Sequence, residues 1–179
     1  IEEAKRPGVY YPVEEGEGFT TILSPSDLCM IDHLAEMREA GIDALKIEGR
    51  MKSAYYAAVV TRAYRMEIDR VEAGGPRDEV QPFIDELANV SHREYSTGFY
   101  FGDPQAIEPT DAAYRQAYRY AGLIGRESGA GRYELDVKNS FSTGERVEFV
   151  GPRVLARADG AFRLFGPDET KSNRLDAVY

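Results

Sequence analysis

Cysteine is nearly absent, with Cys29 the only one in 179 residues. No internal disulfide can form, and no metal site can be built from this chain's cysteines alone. That usage fits a reducing, cytoplasmic setting. Histidine is scarce as well, limited to His33 and His92. The two stand far apart in sequence, there is no H-E-x-x-H zinc motif, and no nucleophile triad is visible, so classical protease chemistry has no support in the residues. A Gly-rich, phosphate-cradling loop is also missing. No apolar run approaches the ~20 residues of a membrane span, and the opening IEEAKRPG lacks the apolar core of a signal peptide. The absent initiator Met and the abrupt AVY ending predict a fragment, with partner residues lying elsewhere.

What is present is enough for a core. The chain is 42% hydrophobic, and its 179 residues suit one ordinary domain or two small ones. Acidic side chains outnumber basic ones 31 to 22, for a net charge of -9, which disfavours indiscriminate attraction to nucleic acid or anionic lipid. The excess is uneven. Residues 1–111 hold 11 basic and 22 acidic side chains, net -11, whereas residues 112–179 hold 11 and 9, net +2. Any nucleic-acid contact is expected in the second part.

SPSD at residues 24–27 predicts a helix start, with Ser24 as N-cap, Pro25 in the first turn and Asp27 completing a capping box. Leu28, Ile31, Leu34 and Met37 then mark an apolar face, and Gly41 ends the helix. Ile42 to Ile47 predicts a short strand. Tyr56, Val60, Ala63, Tyr64, Ile68 and Val71 recur at helical spacing and predict a long helix over 53–71. A third, shorter helix uses Phe83, Leu87 and Val90. Helices alternating with strands build parallel sheets, here the last units of a βα barrel whose complete form needs ~250 residues.

Residues 103–111, holding Pro104 and Pro109, predict the domain boundary, because alternation replaces helical spacing beyond them. Tyr118 and Tyr120 share a face, Tyr133, Leu135 and Val137 alternate with charged residues, Val147 and Phe149 flank Glu148, and Asp159-Gly160 predicts a hairpin turn. The expected fold class is α+β: the C-terminal part of a TIM-like βα barrel over residues 1–103, then a small antiparallel β-barrel domain, with a sandwich as the alternative, over 112–179.

Three places could carry chemistry. Cys29, in the first turn of the predicted helix, would have a thiol activated by the backbone N–H groups and the helix dipole, able to ligate a metal or attack. His33 lies at the i, i+4 spacing that puts two ligands on one face. A lone cysteine is also a common small buried hydrophobe. In DALKIEGR, Lys46, Glu48 and Arg50 point away from Leu45 and Ile47. On a barrel strand they would be costly to bury unless paired or bound to a polar ligand, and near the strand's C-terminal end they would lie where barrel enzymes act. An exposed edge strand or a Lys46–Glu48 structural pair is the alternative. SHREYSTGFYFG gathers His92, Arg93, Glu94, Tyr95 and three further aromatics, either as a substrate loop or as a seal between domains. Arg115, Arg119, Arg132, Lys138 and Arg146 offer a basic surface that RNA could use or that is simply solvated.

SPSDLCMIDHL, AGIDALKIEGRMKSAYYAAVVTRAYRMEIDR and VSHREYSTGFYFG resemble, in order and spacing, the late part of the collagenase-like peptidase family (peptidase family U thirty-two). The likeness spans roughly residues 20–102, and the β-rich remainder is similar to that family's C-terminal barrel. Despite the name, members are hydroxylation factors for tRNA wobble uridine, ribosomal RNA cytidine or the ubiquinone ring, and proteolysis has been claimed. The DLC segment and the SHREYSTGFYFG run look most like the tRNA branch, in which prephenate is needed to make 5-hydroxyuridine. The resemblance therefore implies tRNA as partner, prephenate as co-substrate and no membrane, and it admits a homo- or hetero-oligomer with a related family member. It further implies a four-iron cluster held by four cysteines, three upstream of this stretch, with Cys29 in the fourth position. Lys46, Glu48 and Arg50 would shape a polar pocket at the barrel rim, a cation there binding a prephenate carboxylate, while His92, Arg93 and Tyr95 would bind substrate. The stretch alone would be inactive. A peptidase, or a non-catalytic RNA-binding β module, is the alternative reading.

Overall fold

The computed structural model describes residues 2, 4, 5, 7, 8, 10, 13–16, 19–21, 26–102, 117–129, 131–166 and 170–175. Contacts divide the chain into two units, Ile1–Glu48 with Ala63–Ala117, and Gly49–Arg62 with Tyr118–Tyr179. Helix and strand are mixed. Every sheet among the described residues has two strands, and none closes into a barrel.

In the first unit β1 (Glu14–Gly16) and β2 (Phe19–Thr21) form an antiparallel hairpin. β3 (Asp27–Leu28) leads through a 3₁₀ turn at Ile31–His33 into α1 (Leu34–Glu39). The helix expected from SPSD is therefore shorter and later than the spacing suggests; Ser24 and Pro25 lie outside the described residues. The reason is a competing ladder. The Asp27 N–H donates to Glu94 O and the Cys29 N–H to Ser96 O, both at 2.9 Å, so these backbone groups are used by a strand pair rather than a helical turn. Ile31 and Leu34 are buried as expected, but Leu28 is exposed. Gly41, at φ 81, ends α1 in the left-handed conformation that glycine tolerates best.

Residues 42–49 form no regular element, against the strand expected there. Alternation makes a strand only where another strand supplies ladder partners. Among the described residues no strand pairs with this segment, and Ile42, Leu45 and Ile47 are 42%, 38% and 37% exposed.

α2 (Ala54–Ala73) is the longest element, shared between the two units. Ser53 Oγ caps it by accepting the Tyr56 N–H at 3.2 Å. At the other end Gly74 adopts φ 68 and the Gly75 N–H returns to Arg70 O at 3.1 Å, a Schellman closure. Val59, Val60 and Ala63 are buried along it, the last two as the periodicity predicts, each valine stabilising by roughly 1.5 kcal/mol. The same stripe carries a charge that periodicity does not explain, Glu67, with 1% of its surface exposed. Its carboxylate takes Arg70 Nε and Nη2 at 2.8 and 2.7 Å and Arg77 Nη1 at 2.6 Å, and Arg77 also pairs with Asp32. The buried anion is thereby matched by two guanidinium groups, which hold the start of the 3₁₀ turn Arg77–Glu79 against α2.

α3 (Gln81–Asp85) and a further 3₁₀ turn through Asn89 bury Phe83, Ile84, Leu87 and Val90, the third helix that the sequence predicts. The chain then enters β4 (Tyr95–Ser96), which pairs with β3 in parallel, Asp27 opposite Tyr95 and Leu28 opposite Ser96.

Among the described residues the second unit contains four antiparallel pairs. β5 (Gly122–Gly129) joins β6 (Arg132–Val137), β7 (Phe141–Ser142) joins β12 (Arg174–Leu175), β8 (Val147–Gly151) joins β9 (Val154–Asp159), and β10 (Leu164–Phe165) joins β11 (Lys171–Ser172). A Cβ at Gly122 would collide with the Asp136 carbonyl oxygen, so close strand approach demands glycine there. Phe141 and Leu164 are buried, and Phe141 meets Phe162 at 5.9 Å between centroids. Two expectations need correction. Tyr118 and Tyr120 lie in a loop, and Asp159-Gly160 is not a hairpin turn, because β9 returns onto β8 through residues 152–153. Asp159 instead accepts the Ala161 N–H at 2.8 Å, satisfying the backbone locally where β9 ends.

Candidate functional site

Cys29 follows β3, at the C-terminal end of a parallel strand pair, where open α/β sheets and barrels place their ligands. It is not in the first turn of a helix, where the sequence predicts it, since α1 begins at Leu34 and its dipole does not start at this thiol. What holds it is local. Its N–H is tied to Ser96 O, and the Tyr64 hydroxyl lies 3.8 Å from Sγ as donor while accepting the Met30 N–H at 3.1 Å. The thiol is neither fully buried nor fully exposed.

Beside it, Asp27 and Arg93 form a fork. Arg93 Nε and Nη2 both lie 2.9 Å from Oδ1, and the Arg93 N–H donates to Oδ2 at 3.0 Å. The carboxylate read as a helix cap thus braces the start of β4's segment instead. His92 is buried, stacks on Tyr95 with ring centroids 4.2 Å apart, and donates from Nδ1 to Arg93 O. Tyr95 donates to Leu87 O at 3.0 Å. These three predicted substrate residues are brought together, and each has protein partners that fix the loop following them.

That loop presents Phe99, Tyr100 and Phe101, at 79%, 62% and 60% exposure. Ser26, Leu28, Ser96, Gly98, Phe99 and Tyr100 line an open groove of about 320 Å³. Gly98 turns the chain at φ 58, and a Cβ there would stand 3.3 Å from Leu28 Cδ1. His33 packs against Phe101, ring centroids 4.2 Å apart, and its Nδ1 is 3.3 Å from Glu36 Oε1. Backbone hydrogen bonding, then His33, holds the Glu36 carboxyl below its ordinary value.

The other predicted trio lies on irregular, exposed chain. Lys46 Nζ and Glu48 Oε2 are 4.0 Å apart on the surface of the first unit, and Arg50 is exposed in a turn of the second. In the β-rich unit Arg119, Arg132, Lys138 and Arg146 are exposed; Lys138 is held to Asp136 at 2.9 Å, and Arg132 covers the Phe165 ring at 4.4 Å. Arg115 lies outside the described residues.

For a metal, the donor set is one thiol. Among the described residues no group of three or more His, Cys, Asp or Glu side chains is placed to hold an ion. A single thiolate fits one corner of an iron–sulfur cluster and no more. Sequence reading missed Tyr64, counted only as part of an apolar stripe; its signal was the hydroxyl, which needs a partner when a tyrosine lies on a packed face.

Comparison with known proteins adds family to geometry. A profile described as peptidase family U32 matches residues 2–109. A second, D-xylulose 5-phosphate/D-fructose 6-phosphate phosphoketolase, matches only residues 148–179, too little of the chain to assign it. The chain is 34% identical over 156 residues to tRNA hydroxylation protein P of Escherichia coli, covering 86% of this chain and 34% of that protein. It is 36% identical over 136 residues to tRNA hydroxylation protein P1 of Bacillus subtilis, covering 74% and 32%. An uncharacterized protease of Methanocaldococcus jannaschii is 47% identical over 96 residues, 54% of this chain and 23% of that protein. The chain spans about a third of the length of the first two relatives. No solved structure matches it. With more than half of its residues matched by the family profile and the quoted motifs in order, the chain belongs to peptidase family U32.

Proposed function

We propose that the chain works as part of a tRNA-modifying enzyme that hydroxylates wobble uridine to 5-hydroxyuridine with prephenate as co-substrate. The observation that carries this reading is likeness to two tRNA hydroxylation proteins over 86% and 74% of the chain. Residues 1–103 then belong to a βα-barrel catalytic domain and residues 112–179 to a small β barrel. The parallel β3–β4 pair with helices between its strands supports the first part, and the run of antiparallel pairs supports the second. A cytoplasmic location follows from the substrate, and no described helix is long and apolar enough to cross a membrane.

Cys29 supplies one thiolate to a four-iron cluster whose other ligands lie outside this chain; bound, the cluster supplies one-electron chemistry. The chain's own residues do the rest. Asp27 and Arg93 lock the strand ends that hold Cys29, while His92 and Tyr95 fix the loop that carries Phe99 to Phe101 beside the groove. An unpaired base can stack on such exposed rings. Lys46, exposed beside Glu48 in the first unit, is a cation for a prephenate carboxylate.

Deleting the gene and measuring tRNA nucleosides by mass spectrometry tests the reading. Loss of wobble 5-hydroxyuridine is expected; unchanged tRNA contradicts it. The relative named a protease keeps a second reading in view. Gelatin cleavage by the purified complete protein, abolished by one side-chain substitution, would favour that one instead.

A further inference from the structure

We infer that the loop 97–101 and Leu28 form a stacking site for one unpaired RNA base, with Phe99 and Tyr100 as the rings that hold it and the phosphates left outside the groove. The choice of RNA as occupant rests on the tRNA reading proposed above; the site itself stands on geometry. Phe99 and Tyr100 keep 79% and 62% of their surface exposed, and Leu28 across the groove keeps 56%. The loop that presents them is nevertheless tied down along its length. Before it, Asp27 grips the Arg93 N–H and guanidinium, while the Asp27 and Cys29 N–H groups donate to Glu94 O and Ser96 O. Within it, the Gly98 N–H donates to Ser96 Oγ and the Tyr100 N–H to Thr97 O, both at 3.3 Å. At its end Phe101 lies against His33. The rings are thus in place before anything binds, which lowers the ordering cost of binding.

Size, charge and chemistry select the occupant. About 320 Å³ is at the small end of ligand sites, room for one base with its sugar and too little for a helix. Among the described residues none that lines it is charged, and residues 1–111 carry net -11, so a phosphate gains nothing there while an uncharged planar face does. Aromatic faces hold unpaired bases by stacking. Ser26 and Ser96 bring hydroxyls to the same groove, able to donate to a base carbonyl and to accept from a base N–H. The groove also lies where the parallel β3–β4 pair ends, the side on which open α/β sheets take ligands. An apolar segment of protein would fill the same space; stacking needs a ring, whereas packing needs only apolar volume.

The experiment uses the complete polypeptide that carries this chain and a fluorescently labelled oligouridylate, with binding read by anisotropy over a series of salt concentrations. Phe99→Leu and Tyr100→Leu keep apolar volume and remove the ring. Each is expected to weaken binding roughly ten-fold and to leave the slope of log affinity against log salt unchanged, because that slope counts phosphate contacts and these rings make none. Phe99→Trp enlarges the stacking face and is expected to tighten binding. If a leucine variant fails to fold, unchanged or weaker binding by Phe99→Trp overturns the inference alone. Wild-type affinity in both leucine variants overturns it too, and earlier melting with wild-type affinity shows the rings packed against the rest of the polypeptide instead. So does a polypeptide that binds no oligouridylate even at low salt. None of these results depends on the 5-hydroxyuridine of the deletion strain. The stacking site can therefore fail while the tRNA reading stands, and unchanged tRNA in that strain beside a ten-fold loss here leaves the site standing without that reading.

Discussion

At position 67 a carboxylate with almost no solvent contact faces Arg70 and Arg77. The pairing raises the Arg70 guanidinium above its ordinary value through the Glu67 hydrogen bonds. Removing one partner of a buried ion pair strands the others, and here the two arginines keep part of their surface in water, which softens the loss. Glu67→Gln should therefore destabilise the chain by about 3 kcal/mol, at the low end for buried pairs. Denaturant titration checks this, with the midpoint falling at constant slope. Asp27→Asn is the companion case. The amide keeps one acceptor for the Arg93 fork but loses the charge, and about 1 kcal/mol should go, read from the same titration. Glu67 and Arg70 stand at the i, i+3 spacing that a helix makes adjacent, but neither carboxylate announces its distant partner. Arg93 is 66 positions from Asp27, and nothing in local spacing links them.

In the β-rich unit, Tyr118 donates to Glu148 at 2.9 Å at the edge of β8. That hydrogen bond, and then the carboxylate's charge, raise the Tyr118 phenol above its ordinary value; burial, and then the charge on Glu148, raise Tyr55. Both are acids whose folded value exceeds the unfolded one. Their contribution is fully present below the unfolded value, about pH 10, and is lost as pH rises through the folded values. Melting temperature should fall on going from about pH 10 to pH 11.5, and fall less in Tyr118→Phe. Superimposable curves for the two proteins would contradict the assignment. The same unit shows what period-2 patterning can deliver. Tyr133, Leu135 and Val137 do form β6, since a strand with a partner across a short turn is a local event. Leu45 and Ile47 alternate with Lys46 and Glu48 in the same way, but among the described residues no strand pairs with them and they form none. α2 was legible because its apolar residues recur at helical spacing from Tyr56 to Val71; the serine cap and the Gly-Gly end are seen only in the structure. The SPSD start was misread because capping chemistry is shared by any Ser or Asp near a strand end, and a distant strand, β4, decided between the two uses.

Over the whole chain, family membership comes from motif order, and the site from contacts that no motif contains. Cys29, His92, Arg93 and Tyr95 were visible as residue types; that Asp27, Tyr64 and Ser96 hold them was not, because those contacts depend on how β3, α2 and β4 meet. The charge split, net -11 before residue 112 and +2 after it, makes the β-rich part the less repulsive of the two towards a polyanion. Family and site are brought together in one test. In a strain lacking the gene, the complete protein is returned either as wild type or as Cys29→Ala, matched for abundance, and wobble 5-hydroxyuridine is measured by mass spectrometry of tRNA nucleosides. Restoration by the wild type and none by Cys29→Ala is the predicted result; equal restoration by both would contradict it.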